Sequence, residues 1–433
     1  MNFRNVIMGA VLCLAAGSVA AQDVAVRAQT LYTMAGTPIS DGVVLVRGGK
    51  IAAVGPAAEV AIPEGVEVLQ AAVATPGLID AHSVVGLAGY MNQPHDQDQL
   101  ETSSPTQPQL RAIDAYNAHD RLVQWVREFG VTTLHTGHGP GALVSGQTML
   151  VKTRGNTVEA AMLRPRAMLA ASLGPGAMAE RGKSPGTRAK QMALLRSLLI
   201  AGQASASSRT QGRGSARLQN DDPTLEGDED PAAERLGSGT DGDGDGARRL
   251  EREVVRAVLD RRLPLLVSAW QTQDIMSALR LKEEFDIDLV IDGGAEAYLM
   301  LDALKAAQVP VILHPTMARQ SGELENASWT TAARLHEAGI PFALQSGYEG
   351  YVPKTRVVLW EAAIAAANGL GREPALASIT IDAARILRID RRVGSLEVGK
   401  DGDIALFDGD PFEYTSRAIG TVIDGQVVSR KAR

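Results

Sequence analysis

A single cysteine, Cys13, is present in 433 residues, and it falls inside an N-terminal segment that reads as an export signal. Arg4 supplies a short basic region, Val6 to Ala16 an apolar run, and Ser18, Ala20 and Ala21 the small residues of a cleavage site before Gln22. Cleavage after Ala20 or Ala21 leaves a mature chain without cysteine, which excludes disulfides and a thiol nucleophile. Val11 and Leu12 before Cys13 do not form the small-residue pattern of a lipoprotein site. The expected product of residues 1–21 is therefore a soluble protein secreted across the inner membrane, periplasmic in a Gram-negative host. The apolar run is too short to span a bilayer, so no membrane association is expected after cleavage.

An excess of basic charge is also missing. Lys and Arg total 43 against 50 Asp and Glu, the formal net charge is −7, and the cations are scattered, which removes nucleic acid as a partner. No Gly-x-Ser-x-Gly elbow occurs. Ser83 beside His82 is not a catalytic pair, because neighbouring residues on a strand point to opposite faces.

What is there suits a barrel of about 250 residues or more with an accessory domain. Residues 22–74 alternate short β-rich runs with turn residues: VAVRAQTLYTM, a turn at Asp41-Gly42, VVLVRGG and KIAAVG. Residues 388–433 have the same texture, so the two ends are expected to form one composite β domain. Between them, strand-like and helix-like segments alternate from 75 to 387, as LPLLVSAW, QDIMSALRLKEEF, DLVIDGG and VPVILHPT illustrate. This alternation predicts a parallel α/β barrel, with a doubly wound open sheet as the alternative. Residues 203–247 are rich in Gly, Ser, Asp, Gln and Arg and read as a disordered insertion. Within it, Asp241 to Gly246 imitates the start of a calcium loop, but the twelfth position, where a bidentate Glu is needed, is Arg252.

The segment Thr75-Pro76-Gly77-Leu78-Ile79-Asp80-Ala81-His82-Ser83-Val84 carries the strongest signal. An apolar strand there runs into a polar end, and Asp80 and His82, two apart, are expected to share one face. With GVTT followed by GQT, it resembles the metal-dependent amidohydrolase superfamily in its imidazolonepropionase-like branch. The resemblance implies a TIM-like (β/α)8 barrel, a β-sandwich closed from both chain ends, and hydrolysis of carbon–nitrogen bonds in small amides, cyclic amides or dipeptides.

It also implies a metal, because bound water then ionises near neutral pH. In such relatives the ligands are paired histidines after the first strand, often a lysine or glutamate after the fourth, histidines after the fifth and sixth, and an aspartate after the eighth. Of these only His82 is present here. Val84 stands at the second histidine of the first strand. Leu265-Leu266-Val267-Ser268-Ala269-Trp270 replaces a segment like LLVHAH, Gly293 follows Val290-Ile291-Asp292 where VIDHG is expected, and Gly347 ends Ala343-Leu344-Gln345-Ser346 in place of the aspartate. Arg164 is the nearest residue to the fourth-strand position, and a guanidinium that stays protonated cannot bridge metals.

Two readings follow. In the first, the protein has a degenerate metal site, no cofactor, and a role as a binding or partner subunit, in a homo-oligomer or beside a homologous active amidohydrolase, with a small-molecule ligand still possible. In the second, it is a working carbon–nitrogen hydrolase with a non-standard zinc site built from His82, His135, His138 and His314 at the barrel mouth, overhung by His95 and Asp96. The bland expectation for those histidines is hydrogen bonding to backbone or solvent. His119 and His336 are expected on the surface.

Overall fold

The computed structural model describes residues 23–91, 93–180, 182–215, 241–348 and 357–433. The expected signal segment and residues 216–240 of the insertion lie outside the described residues. Four strands come first: β1 (Val24–Leu31), β2 (Ile39–Arg47), β3 (Lys50–Pro56) and β4 (Glu67–Pro76). The expected turn at Asp41-Gly42 is instead a point within β2, where Gly42 pairs with Ala28 and Asp41, at φ 47°, receives two hydrogen bonds from Arg27 of 2.6 and 2.7 Å. The chain reverses at Gly48-Gly49, whose positive φ values of 56° and 82° suit a tight hairpin.

The next ten strands are β5 (Leu78–Ser83), β6 (Val131–Thr136), β7 (Val144–Gln147), β8 (Met149–Lys152), β9 (Met162–Arg164), β10 (Leu169–Ser172), β11 (Leu265–Ala269), β12 (Leu289–Gly293), β13 (Val311–Leu313) and β14 (Phe342–Leu344). The last three are β15 (Ile404–Phe407), β16 (Ala418–Ile423) and β17 (Gln426–Ser429). The chain ends do meet, in one seven-stranded sheet of order β17-β16-β15-β4-β1-β2-β3. The join is antiparallel, with Thr75 opposite Ala405. The sheet coils onto itself, so that Gly402 N–H reaches Gly49 O at 2.9 Å, and it encloses Val26, Leu31, Val44, Ile51, Ile404 and Val422.

β10 to β14 are parallel neighbours, as are β5 and β6. Between these groups, β7 and β8 run antiparallel to β10 and β6 respectively, interrupted only at Thr148. The strand, Gly-rich loop, strand reading of residues 131–153 therefore holds, but its return limb stands in the ring with reversed direction. Ser83 bridges Gly347, and Gly347 N–H donates to His82 O at 3.1 Å. That link between the first and last strands is what an open doubly wound sheet lacks.

Strand alternation sorts the apolar residues. Ile79, Leu150, Leu266, Val290, Ile312 and Ala343 pack together inside the ring. Leu265, Val267, Leu289, Ile291, Phe342 and Leu344 face the surrounding helices. Ser268, Asp292 and Gln345, two residues further along their strands, must then rise on the inner face above the apolar layer.

The insertion differs from expectation at its edges. The helix Arg188–Ser215 carries the chain through 203–215, and the helix Asp241–Leu259 begins in the Asp-Gly run, so that run does not form a calcium loop. Extending an existing helix costs less than starting one, and the periodic segments on both sides supply the nuclei.

Candidate functional site at the barrel mouth

The C-terminal ends of the strands bring His82, Ser268, Asp292 and Gln345 into one buried network. His82 is 3% exposed, and its Nδ1 lies 2.9 Å from Asp292 Oδ1. Ser268 Oγ–H donates to Asp292 Oδ2 at 2.6 Å, and Gln345 Nε2–H to Oδ1 at 2.9 Å and to Ile312 O at 3.0 Å. Burial alone would push the Asp292 carboxyl up, but the His82 charge and these hydrogen bonds hold it below the usual carboxylate value. Burial likewise opposes protonation of His82, and the Asp292 charge and hydrogen bond outweigh it, raising the imidazole.

Asp80 does not share this company, contrary to the two-residue spacing. In the β5–β6 register Asp80 pairs with Leu134 while Ser83 pairs with Thr136, three residues against two, which is a β-bulge. Leu134 belongs to the helix-side core, so Asp80 is turned outward, where Ser346 binds it through its backbone N–H at 2.9 Å and through its hydroxyl. Burial raises the Asp80 carboxyl to about 6, against the lowering effect of Ser346. The bulge leaves His82 inside, its ring 5.4 Å from that of His135.

His135 is fully committed. Its Nδ1 is 2.6 Å from Ala81 O, which can only accept, so Nδ1 carries the proton, and Nε2 accepts from Thr148 Oγ–H at 2.6 Å. Burial, with the His82 charge, depresses this imidazole to about 3. His314 likewise donates from Nδ1 to Pro315 O at 2.7 Å. Among the described residues, Nε2 of His82 and both ring nitrogens of His138 are buried without hydrogen-bond partners, and burial with the His82 charge lowers His138 to about 4. His95, His119 and His336 are exposed. Asp96 caps its own turn, accepting from Met91 N–H at 3.0 Å and Gln93 N–H at 2.8 Å.

The remaining ligand positions are filled or closed. Val84 is buried. A Cβ added at Gly293 would lie 2.7 Å from the Trp270 ring, so the indole occupies the space over that position. At Gly347, with φ 75°, a Cβ would stand 2.5 Å from Pro315 Cγ. Arg164 proves to belong to β9, where its guanidinium donates to the carbonyls of Leu387 and Arg388 at 3.2 and 2.8 Å. The fourth ring strand is β10, which ends at Ser172. Among the described residues, no group of three or more His, Cys, Asp or Glu could hold a metal ion. The described residues at Val84, Gly293 and Gly347 therefore do not match the ligand set that the sequence resemblance implies.

The sequence reading treated Asp292, Gln345 and Ser346 only as flanks of lost ligands. The available signal was their two-residue phase with the inward-facing Val290 and Ala343. It also missed Lys152, which reaches Asp401 at 2.7 Å, Asp403 at 3.1 Å, and Asp424 across the join between ring and sheet.

Comparison with known proteins gives a consistent picture. A model of the amidohydrolase family matches residues 304–429. The chain is 27% identical over 189 residues to an imidazolonepropionase of Alkaliphilus oremlandii, a match covering 37% of this chain and 44% of that protein. It is 25% identical over 371 residues to the amidohydrolase tasK of Hapsidospora irregularis, covering 81% of this chain and 36% of the other. The chain thus spans less than half the length of these curated relatives. An amidohydrolase structure from Thermotoga maritima has a TM-score of 0.82 at 26% identity, covering 94% of this chain and all of that one. A prolidase complexed with N-methylphosphonate-L-proline reaches 0.58 at 16% identity over 95% of this chain and all of its own, a likeness of fold alone.

Proposed function

Because this chain belongs to the amidohydrolase superfamily, a family of carbon–nitrogen hydrolases, we propose that it retains that fold while acting as a binding or partner subunit rather than as a metal-hydroxide hydrolase. The observation that carries this reading is the mouth itself. His82 is bonded to Asp292, and Trp270 fills the space above Gly293. Catalytic zinc uses three protein ligands and an open position. Valine and glycine supply no side-chain donor, and an indole N–H only donates.

The test is elemental analysis of the mature protein after expression with zinc, manganese or iron, joined to a panel of dipeptides and cyclic imides assayed with chelator and with zinc restored. No stoichiometric metal and no chelator-sensitive turnover are expected. Stoichiometric metal, lost on His82→Ala or His138→Ala, overturns the reading.

A second reading, an active hydrolase with zinc on His82, His135, His138 and His314, has one observation in its favour: the unpartnered nitrogens of His82 and His138. Against it, His135 has both ring nitrogens engaged.

The partner is proposed to be a second copy or a homologous active amidohydrolase, since a retained fold with an altered mouth leaves surfaces as the selected feature. Co-purification from the native periplasm followed by mass spectrometry tests this, and a strictly monomeric protein without companion removes it. Export rests on residues 1–21, and a mature N-terminus at Ala21 or Gln22 in the periplasmic fraction is the expected result.

A further inference from the structure

The helix Val358–Ala365 and the loop joining β15 to β16 enclose a groove of about 740 Å³. It lies toward the N-terminal ends of the ring strands, where Gly130, just before β6, packs on Ala405 of β15, and so faces away from the mouth. The floor is aromatic. Phe129 stands edge-on to Trp360 with ring centroids 5.0 Å apart and an interplanar angle of 72°, and Phe407 lines the same groove. Trp360 remains 39% exposed, an unusual state for an indole already packed on one side.

The outer wall is residues 408–417, and it is braced rather than loose. Asp408 N–H donates to Arg417 O at 3.1 Å while Arg417 N–H returns to Asp408 Oδ1 at 2.6 Å, closing the loop at its base. Phe412 N–H donates to Asp410 Oδ1 at 2.9 Å. From the helix Arg372–Ser378, Arg372 holds both Asp410 and Glu413. A groove with both walls fixed requires little ordering when a ligand enters, and its volume is within the usual range for small-molecule sites.

The charges are unevenly committed. Glu413 is engaged by Arg372, and Arg433 is engaged by Glu128 at 2.7 Å and stacks over Trp125 at 4.6 Å. The remaining charged side chain on the groove, Arg417, has no ion pair among the described residues. An aromatic cleft with one uncommitted guanidinium at its edge complements a molecule with an apolar body and a single anionic end.

We propose that this groove is a second binding site, separate from the mouth, for an organic anion whose aromatic or branched apolar body rests on Phe129 and Trp360 while its carboxylate or sulfonate meets Arg417. The site does not depend on whether the mouth holds metal.

The mature chain is titrated with anilinonaphthalene sulfonate, and the bound probe is then displaced by phenylpropionate or by its neutral analogue phenylpropanol. Saturable binding is expected, weakened about tenfold by Arg417→Glu, as loss of one charge-assisted hydrogen bond predicts. Trp360→Ala is expected to weaken both ligands, and phenylpropanol to compete much less well than phenylpropionate. Arg417 is exposed, so Arg417→Glu should unfold at the same temperature as the parent, which separates lost binding from lost folding. No binding, equal binding by Arg417→Glu, or equal competition by the neutral analogue overturns the proposal. So does light scattering that shows the groove covered by a second copy, with Trp360 protected at concentrations where the chain pairs.

Discussion

His82 and Asp292, 210 residues apart in the chain, share a buried hydrogen bond of 2.9 Å at the ends of β5 and β12. The contact sets the character of the mouth. A carboxylate on β12 that already accepts from His82, Ser268 and Gln345 ties its own strand to three others through side chains. Such a network is strong when every member is satisfied and costly when one is removed.

The packing of Trp270 on Gly293 gives a direct test of how the mouth is filled. Gly293→His should destabilise the protein by about 1–3 kcal/mol, since it places a Cβ against the indole at a residue with φ 89°. Adding Trp270→Ala should recover part of that loss. Urea unfolding of the two variants decides it, and a fully stable Gly293→His would mean that the indole is free to leave.

Lys152 should prove a major clamp between ring and sheet. It is nearly buried among Asp401, Asp403 and Asp424, and Lys152→Met strands Asp403 most severely, because Lys50 and Arg392 still serve Asp401 and Arg154 serves Asp424. The expected cost is about 3–5 kcal/mol in denaturant unfolding.

The same cluster fixes a pH dependence. Burial would raise the Asp401 carboxyl, but Lys152, Lys50 and Arg392 hold it at about 2, so its contribution is present above its ordinary value near 3.8 and lost as pH falls toward 2. Lys152 is raised against the effect of burial, chiefly by Asp403 and Asp424, so its share persists below its ordinary value and fades only in strong alkali. Asp403 is raised, because burial exceeds the pull of Lys152, and it opposes the others once ionised. In Lys152→Met that opposing effect grows. The variant should therefore gain stability as pH falls from 7 toward 5, where the parent changes little, and a flat profile in both would argue against the clamp.

His135 should behave as a structural residue. His135→Phe keeps most of the volume but leaves the Ala81 carbonyl without its donor, an expected loss of about 1–3 kcal/mol with no change in metal content. Nitrogen NMR of the parent should show the neutral tautomer with hydrogen on Nδ1. The opposite tautomer would contradict the assigned hydrogen bonds.

Gly202 permits the helices Arg188–Ser215 and Asp241–Leu259 to approach. An added Cβ would come within 2.6 Å of Val255 Cγ1 and 3.0 Å of Leu259 Cδ1. Gly202→Leu is expected to separate the pair and lower the thermal midpoint, whereas shortening the 216–240 connection by about half should change it little, since halving a long connection alters closure by only about 0.6 kcal/mol.

Much of this arrangement was legible beforehand, for identifiable reasons. The composite sheet follows from matching β-rich ends, and the ring from alternating strand and helix periods. The positions of Val84, Trp270, Gly293 and Gly347 at strand ends followed from short flanking words. What was not legible was the company each polar side chain keeps. The extra residue in the β5 register sent Asp80 to Ser346 and His82 to Asp292, and nothing in the spacing of the two announces a bulge. Arg164 was misplaced for a similar reason, because β9 pairs back on β8 before the fourth ring strand begins.

The sequence by itself determined the periodic features: which stretches bury apolar side chains and where strands end in polar residues. Those are properties of neighbours along the chain, set by the two-residue repeat of strands and the 3.6-residue repeat of helices. Only the tertiary structure decided that Asp292 would accept from His82, that Trp270 would cover Gly293, and that Lys152 would meet three aspartates from 249 to 272 residues away. Register shifts of a single residue turn a side chain to the other face, and long-range charge pairs form only after strands from both ends of the chain have been brought together.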